Sequence, residues 1–309
     1  MTSKAHTRSR PPSGPEPAPY RSGYVALVGR PNAGKSTLFN AFIGLRLSIV
    51  TPKPQTTRSR ILGIVTRPAS QMIFLDTPGL LEPQYRLHAT MAQQIELAAR
   101  QADLSLLLID AERPEDHADL VRAFLRQATR PVVPVLNKAD LLPPTAVDSA
   151  LSAAAAAFGV GPMTPLSALR GDGVAALLDR LESMLPAGPQ LYPEDMVAEQ
   201  PERFFAAEYI REAAFGQLED EVPYAVSVAI EEFREQPGRT YIGATLYVER
   251  DSQKGIVIGR GGTRLRTIGT LARQELELFL DTPVFLDIRV KVRPDWRRKE
   301  RDLKEFGYE

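Results

Sequence analysis

From Tyr24 onward the chain alternates short, wholly apolar runs with longer stretches of mixed character: YVALVG at 24–29, ILGIV at 61–65, MIFLD at 72–76, LSLLLID at 104–110 and VVPVLN at 132–137. Runs without polar alternation, bounded by turn residues, suit strands buried on both faces. The first half is therefore expected to be α/β, a mostly parallel sheet flanked by helices. Pro134 lies inside one such run, where it removes a ladder donor, so an irregularity or an edge is expected there. The alanines of 153–157 read as a helix. Prolines at 186, 189, 193 and 201 then mark a linker. Beyond it the pattern predicts a helix near 203–218, alternating strands near 224–234 and 240–249, a glycine-rich turn at 259–262, a helix to about 279 and an alternating strand at 284–292. The organisation read from this pattern is a tail at 1–20, an α/β domain at 21–186, a linker at 187–201 and an α+β domain at 202–309.

Composition adds exclusions. The 309 residues are 43% apolar, with 38 basic and 38 acidic side chains and no cysteine. That length suits about two domains. The lack of cysteine excludes disulfide scaffolds, thiol nucleophiles and cysteine-ligated metals. No stretch approaches the ~18 apolar residues a membrane-spanning helix needs, and no apolar signal core stands near Met1, so a cytoplasmic protein is expected. Residues 1–19 are rich in proline, serine and basic side chains, with one acidic residue, and read as a disordered tail in preference to an organelle transit peptide.

The chemistry begins at Gly29-Arg-Pro-Asn-Ala-Gly34-Lys35-Ser36, a phosphate-loop pattern directly after a predicted strand and before the helix-like STLFNAFIG. Glycines let backbone N–H groups turn inward around phosphates, and the helix N-terminus adds its positive end. The residues assigned to the phosphates are Asn32, Ala33, Gly34, Lys35, Ser36 and Thr37, with Lys35 on the β and γ oxygens and the Ser36 hydroxyl on Mg²⁺. This loop alone leaves ATP and GTP open. Asp76-Thr-Pro-Gly79 follows a strand, as an aspartate on the Mg²⁺ side must, and Gly79 offers a backbone N–H to a γ-phosphate. Asn137-Lys138-Ala-Asp140 ends a later strand, and the Asp140 carboxylate suits the paired N1 and 2-amino donors of guanine, which adenine lacks. Ser167-Ala168-Leu169 lies beyond a further short strand, where a backbone N–H could reach the base oxygen.

In this order the segments resemble the guanine-nucleotide-binding domain of translation-factor-like GTPases, over about residues 24–185. The resemblance implies that Thr57, in QTTR, ligates Mg²⁺ in the GTP state, with Thr56 a close rival. It gives Lys35, Thr57 and Gly79 as catalytic residues and Ser36, Thr57 and, through water, Asp76 as the Mg²⁺ set. Where Ras-like enzymes place a water-orienting glutamine, this chain has Leu80 followed by Leu81. The hydrophobic replacement resembles the class that contains the Era family and the tRNA-modifying GTPases, in which an asparagine at the position of Asn32 helps hold K⁺. Slow intrinsic hydrolysis and K⁺ stimulation are the expectations.

The second domain is electrically polarised: residues 202–251 carry 5 basic and 11 acidic side chains, residues 252–301 carry 12 and 6. Five basic residues and no acidic one lie between Gln253 and Arg273, around Gly259-Arg260-Gly261-Gly262. This motif resembles the GXXG loop of a type II KH domain, which clamps about four nucleotides of single-stranded RNA. The resemblance implies that Gly259 to Gly262 approach the sugar-phosphate chain, that Lys254, Arg260, Arg264 and Arg266 neutralise phosphates, and that Ile256 and Ile258 touch bases. Trp296 reads as a core cap or, with Arg297 and Arg298, as a continuation of that surface.

One GTPase domain followed by a type II KH domain, with QTTR, DTPG, NKAD and VIGRGG, closely resembles the Era family of ribosome-assembly GTPases, from Tyr24 to Tyr308. The family implies binding of the 3′ end of 16S ribosomal RNA, the small subunit as partner, peripheral association with the cytoplasmic face of the membrane, and a monomer. It also implies a switch in which GTP orders segments 45–59 and 77–90 and changes the KH interface. The alternative is a membrane or cell-cycle signalling GTPase whose second domain binds protein. A tRNA-modifying GTPase would need a modifying domain and usually a cysteine, and the single phosphate loop excludes a factor with two GTPase domains. His6, His88 and His117 have no metal-ligand spacing, and His88 reads as solvated or capping.

Overall fold

The computed structural model describes residues 19–116 and 118–308. The disordered-tail reading, apart from its last residues, and His117 lie outside them.

The first domain opens with β1 (Arg21–Gly29), α1 (Lys35–Ile43), β2 (Ile61–Arg67), β3 (Ser70–Asp76), α2 (Arg86–Gln101), β4 (Leu104–Asp110), α3 (Ala118–Gln127) and β5 (Val132–Asn137). It closes with α4 (Pro144–Phe158), β6 (Thr164–Pro165) and α5 (Val174–Met184). Six strands form one sheet in the order β2-β3-β1-β4-β5-β6, parallel except for the β2/β3 pair. The uninterrupted apolar runs are explained by burial on both faces: β3 and β4 are buried at every position. One apolar layer packs Leu27, Leu38, Phe39 and Phe74 on one side of the sheet; Val28, Ile73, Leu107 and Leu136 belong to the layer on the other. Strand order reverses around β1, which puts a crevice at its C-terminal end, where open α/β sheets bind ligands.

Pro134 meets the edge half of its expectation and not the irregularity: β5 is unbroken and keeps its register with β4 from Val132 to Asn137. The proline is tolerated because β6 pairs only with Val135 and Leu136, so the outer side of β5 at Pro134 has no partner strand to donate to.

The second domain contains α6 (Glu202–Gln217), β7 (Ser227–Gln236), β8 (Arg239–Val248), α7 (Asp251–Ile258), α8 (Thr263–Leu280), β9 (Val284–Val292) and α9 (Glu300–Glu305). Its sheet runs β7-β8-β9, with the first pair antiparallel and the second parallel. Helices α7 and α9 are additions to the sequence reading. Both are short, eight and six residues, and α7 contains Gly255, so neither shows a sustained helical period.

The proline-rich linker is laid along the first domain. Val197 accepts from the Ile64 amide at 3.0 Å, and the Gln71 side chain bonds the backbone of Leu191 and Tyr192 at 2.8 and 2.9 Å. The two domains also meet directly, through the loop before β2, helix α2 and the C-terminal segment. Leu87 and Met91 of α2 share a buried cluster with Trp296, Leu303 and Tyr308. Trp296 is therefore core, its indole N–H donating to the Ala225 carbonyl at 2.8 Å.

Candidate nucleotide and RNA sites

The crevice at the end of β1 is a cleft of about 470 Å³, lined among others by Asn32, Gly34, Lys35, Ser36, Thr37, Thr57 and Gly79 at one end and Asn137, Lys138, Asp140, Ala168 and Leu169 at the other. Segments far apart in sequence converge there because the loops after β1, β3, β5 and β6 leave one edge of a parallel sheet. Three of the expected residues do not line it. Ala33 is buried in the core, Asp76 stands behind Ser36, and the buried Ser167 hydroxyl accepts from the Arg170 amide at 3.1 Å.

Lys35 is buried at the start of α1, its ammonium donating to the carbonyls of Gly29 and Arg30 at 3.2 and 2.9 Å. Burial brings its pKa down to about 8, although Asp76 opposes the shift. Beside it, Ser36 Oγ donates to Asp76 Oδ2 at 2.7 Å and lies 3.0 Å from Thr57 Oγ1. Ser48 also donates to Asp76 Oδ2, at 2.7 Å. Burial raises the Asp76 carboxyl above its ordinary range against these hydrogen bonds, and its Oδ1 is buried without a partner. A buried carboxylate oxygen left unpaired, beside two hydroxyls, makes an all-oxygen set that fits Mg²⁺. Thr56 is separated from Thr57 by its bonding: its hydroxyl meets Thr51 Oγ1 at 2.9 Å and the Lys53 carbonyl at 2.8 Å. Only Thr57 faces Ser36.

Gly79 is fixed by close approach, since a Cβ there would fall 2.6 Å from the Pro31 backbone nitrogen. The next residue, Leu80, is 8% exposed and packs in the apolar layer with Val28 and Ile109, its amide bonding the Gly29 carbonyl at 3.0 Å. Leu81 leans on the cluster around Trp296. Neither carries a polar group that could orient water.

At the base end, Asn137 works as a brace. Its amide donates to the Ala33 carbonyl at 2.8 Å and accepts from the Ala168 amide at 3.0 Å, tying the phosphate loop to the Ser-Ala-Leu loop. Asp140 lies 3.5 Å from Arg170, and Leu169 stands 82% exposed at the rim. Lys138 and Arg30 both pair with Asp110 at 2.7 Å. Sequence reasoning missed Arg30, Ser48 and Asp110; the first occupies a variable position of the phosphate loop, and the others lie outside any motif.

His88 departs from its expected solvated role. It is buried, 3.8 Å between ring centroids from Tyr85, with Nε2 3.1 Å from Gln55 Oε1. Burial, together with the charges of Arg297 and Arg58, holds its pKa below the usual imidazole range. Asn32 has a left-handed backbone (φ 61°), and its amide donates to the Pro52 carbonyl at 2.8 Å, closing the loop before β2 over the phosphate loop.

In the second domain Gly259, Gly261 and Gly262 have φ of 72°, 59° and 76°, forming the tight link between α7 and α8. A Cβ on Gly261 or Gly262 would meet nothing within 4 Å, so the loop has an open side. Arg264 folds back to the Ile256 carbonyl at 2.9 Å and Arg266 to the Gly261 carbonyl at 2.7 Å, while Arg260 is exposed. The first turn of α8 holds no acidic side chain, so its positive end faces the loop unopposed. Ile256 is 41% exposed, Ile258 and Lys254 half-buried.

A parallel-sheet phosphate-loop domain with an NKAD base end, joined to an α-β-β-α-α-β domain with a GXXG loop, defines a GTPase carrying a type II KH domain. The 50S ribosome-binding GTPase family matches residues 24–138, and the KH domain family matches 221–297. GTPase Era of Geobacter metallireducens is 45% identical over 94% of this chain and 98% of its own length. GTPase Era of Synechocystis is 43% identical over 94% of both. Among solved structures, Era in complex with MgGDPNP and nucleotides 1506–1542 of 16S ribosomal RNA is 40% identical, covers 94% of this chain and 99% of that one, and superimposes with a TM-score of 0.89. An Aquifex aeolicus Era variant bound to GDP and AlF4⁻ is 38% identical, covers 93% and 99%, and gives the same TM-score. The chain belongs to the Era family of GTPases. The signalling alternative is not favoured by these relatives.

Proposed function

We propose that this protein is a GTP-hydrolysing switch that binds the 3′ end of 16S ribosomal RNA through its KH domain and assists assembly of the small (30S) ribosomal subunit. The observation that carries the reading is the Ser36–Thr57–Asp76 cluster, with its unpartnered carboxylate oxygen, on the same chain as an open GXXG loop. A solved Era relative at 40% identity holds both MgGDPNP and that RNA segment.

In this reading the loop from Asn32 to Thr37 wraps the phosphates, and Lys35 moves its donors from the Gly29 and Arg30 carbonyls to the β and γ oxygens. Ser36, Thr57 and, through water, Asp76 would hold Mg²⁺, which when bound would supply charge neutralisation for phosphoryl transfer. Asp140 reads guanine, with the Ala168 amide at the base oxygen. Because Leu80 is in the core, water is oriented by backbone groups near Gly79 and Thr57, by the bound cations, or by a partner, and intrinsic hydrolysis is slow. K⁺ would sit by Asn32, whose side chain already ties the loop before β2 to the phosphate loop. On the RNA side, Arg264 and Arg266 exchange loop carbonyls for phosphates, with Lys254 and Arg260 adding charge and Ile256 and Ile258 contacting bases. Action in the cytoplasm as a monomer, with peripheral visits to the membrane face, belongs to the same proposal.

The test is binding of a short single-stranded RNA matching the 16S 3′ end, with GDPNP and with GDP, at low and high salt, alongside Gly261→Asp. Aspartate tolerates left-handed backbone and meets no neighbour at that position, so this variant changes charge with little strain. Salt-sensitive, GDPNP-favoured binding that disappears in the variant supports the reading. Weak binding indifferent to nucleotide and to the variant overturns it and brings a protein partner for the second domain to the front.

A further inference from the structure

Thr57 and Arg58 are consecutive, yet their side chains enter different domains. Thr57 reaches the Ser36 hydroxyl, whereas the Arg58 guanidinium is buried in the KH domain. There its Nη1 donates to the Val226 carbonyl at 2.6 Å and its Nη2 to the Tyr224 carbonyl at 2.9 Å. Its centre lies 5.5, 5.7 and 5.9 Å from the ring centroids of Phe215, Trp296 and Tyr308. The cage is assembled from the end of α6, the loop before β7 and the C-terminal segment, so it exists only on the KH side of the interface.

Arg58 is also unusual in its charge balance. Buried Arg211, which donates to the Thr56 carbonyl at 2.7 Å, is neutralised by Glu208. Among the described residues no carboxylate pairs with Arg58, and its charge is held by carbonyl dipoles, aromatic faces and the Tyr308 hydroxyl at 3.4 Å. Burial lowers its pKa from the ordinary guanidinium value, with Tyr308 opposing the shift. Burying an ion without a counter-ion is costly, and hydrogen bonds and cation–π contacts offset that cost in part. Such an anchor is suited to being made and broken, where a neutralised pair would hold more firmly.

The backbone between these two side chains is a single residue step, so withdrawing Thr57 from the metal position pulls on the Arg58 anchor. We propose that Arg58 is the positioning residue through which the GTP state is transmitted to the KH domain: its insertion between Phe215, Trp296 and Tyr308 and the placement of Thr57 on the metal are one linked event. This rests on the GTP-switch reading above and assigns its coupling to one side chain. Linkage is reciprocal, so a GTP analogue favours docking and docking favours the GTP analogue over GDP.

Trp296 is the only tryptophan in the chain, so its emission reports on the cage without labelling. The experiment titrates the full chain with Mg²⁺ and GDPNP or GDP and follows that emission. Wild type should give different spectra in the two states. Arg58→Ala should abolish the difference and weaken GDPNP by about tenfold while GDP affinity stays within about twofold, a size typical of coupling free energies. Arg58→Lys, which keeps the charge but not the planar fork, should retain only part of the difference. Thr57→Ala, with Arg58 intact, should leave the GDP-like spectrum even at saturating GDPNP; these two variants carry the test if Arg58→Ala does not fold. A full nucleotide-dependent change and an unaltered GDPNP preference in the Arg58 variants overturn the role of Arg58 alone. The same holds if wild type binds both nucleotides with identical spectra. Wild type that binds neither nucleotide overturns the switch reading itself, and the coupling with it.

Discussion

The two regions proposed to grip phosphates are built in opposite ways. The nucleotide cleft gathers groups from loops as far apart as Asn32 and Leu169, buries its lysine and aspartate, and braces its walls with Asn137. The KH loop takes every assigned contact from the single stretch 254–266, exposes its arginines and parks two of them on its own carbonyls. Their construction implies a division of labour. A buried, braced cleft discriminates by shape and by the number of charges it neutralises, whereas an open basic loop gains affinity through counter-ion release and a sequence-tolerant grip on the chain.

The largest expected effect on the buried side is Lys35→Ala, which should weaken GTP-analogue binding by about a hundredfold or more in equilibrium titration, as for removal of one partner from a desolvated charge pair. Asn137→Ala leaves the Ala33 carbonyl and the Ala168 amide unpaired, and should cost about 2 kcal/mol or more in denaturant unfolding while also weakening nucleotide. On the open side, Arg260→Glu with Arg264→Glu should lower RNA affinity about tenfold at moderate salt with unfolding unchanged, and flatten the log K against log salt line by about 0.7 for each phosphate no longer neutralised. If that pair instead destabilises the fold, the contrast between the two regions is wrong.

Acidity separates the two regions further. Lys35 titrates at about 8 in the nucleotide-free protein, below its ordinary 10.5, so its charge is present below pH 8 and absent above it. Phosphate binding needs that charge, so GTP-analogue affinity should fall by up to about tenfold from pH 8 to pH 9, with proton uptake on binding measurable by calorimetry. The nucleotide-free fold should show the opposite trend. The unfolded chain keeps this proton to about pH 10.5, so the Lys35 contribution makes stability rise between the two values. Lys35→Arg, whose charge does not titrate, should remove the slope in affinity. The smallest effect on chemistry is expected at Leu80: Leu80→Ala should change single-turnover hydrolysis by less than about threefold, yet lower stability by about 2–3 kcal/mol, because the side chain fills the core. A large drop in hydrolysis would show that Leu80 acts at the site.

Legibility in the sequence follows the range of the interactions. β4, β5 and β9 are readable to their last residues, because burial on both faces, or alternation between them, is written locally. Helix α7 escapes that reading because it spans little more than two turns and carries a glycine. The pairing of Thr57 with Ser36 is readable only by resemblance, and the separate direction of Thr56 comes from hydrogen bonds to Thr51 and Lys53. His88 reads as solvated or capping because Gln55, which meets its ring, stands 33 positions away in the sequence, and the cluster that buries Trp296 includes Leu87 and Met91 of the other domain.

Local spacing was enough to predict an α/β half and an α+β half, the phosphate-loop pattern, the NKAD segment and the glycine-rich turn, since phosphate chemistry demands particular backbone shapes and side chains at fixed short separations. Tertiary packing decided which threonine faces Ser36, that Asn137 braces as well as lines the cleft, that Leu80 belongs to the core, and that Arg58 leaves its own domain for an aromatic cage. Those outcomes depend on side chains up to 250 positions apart, as between Arg58 and Tyr308, and contacts at that separation leave no periodic or motif-length trace in one chain.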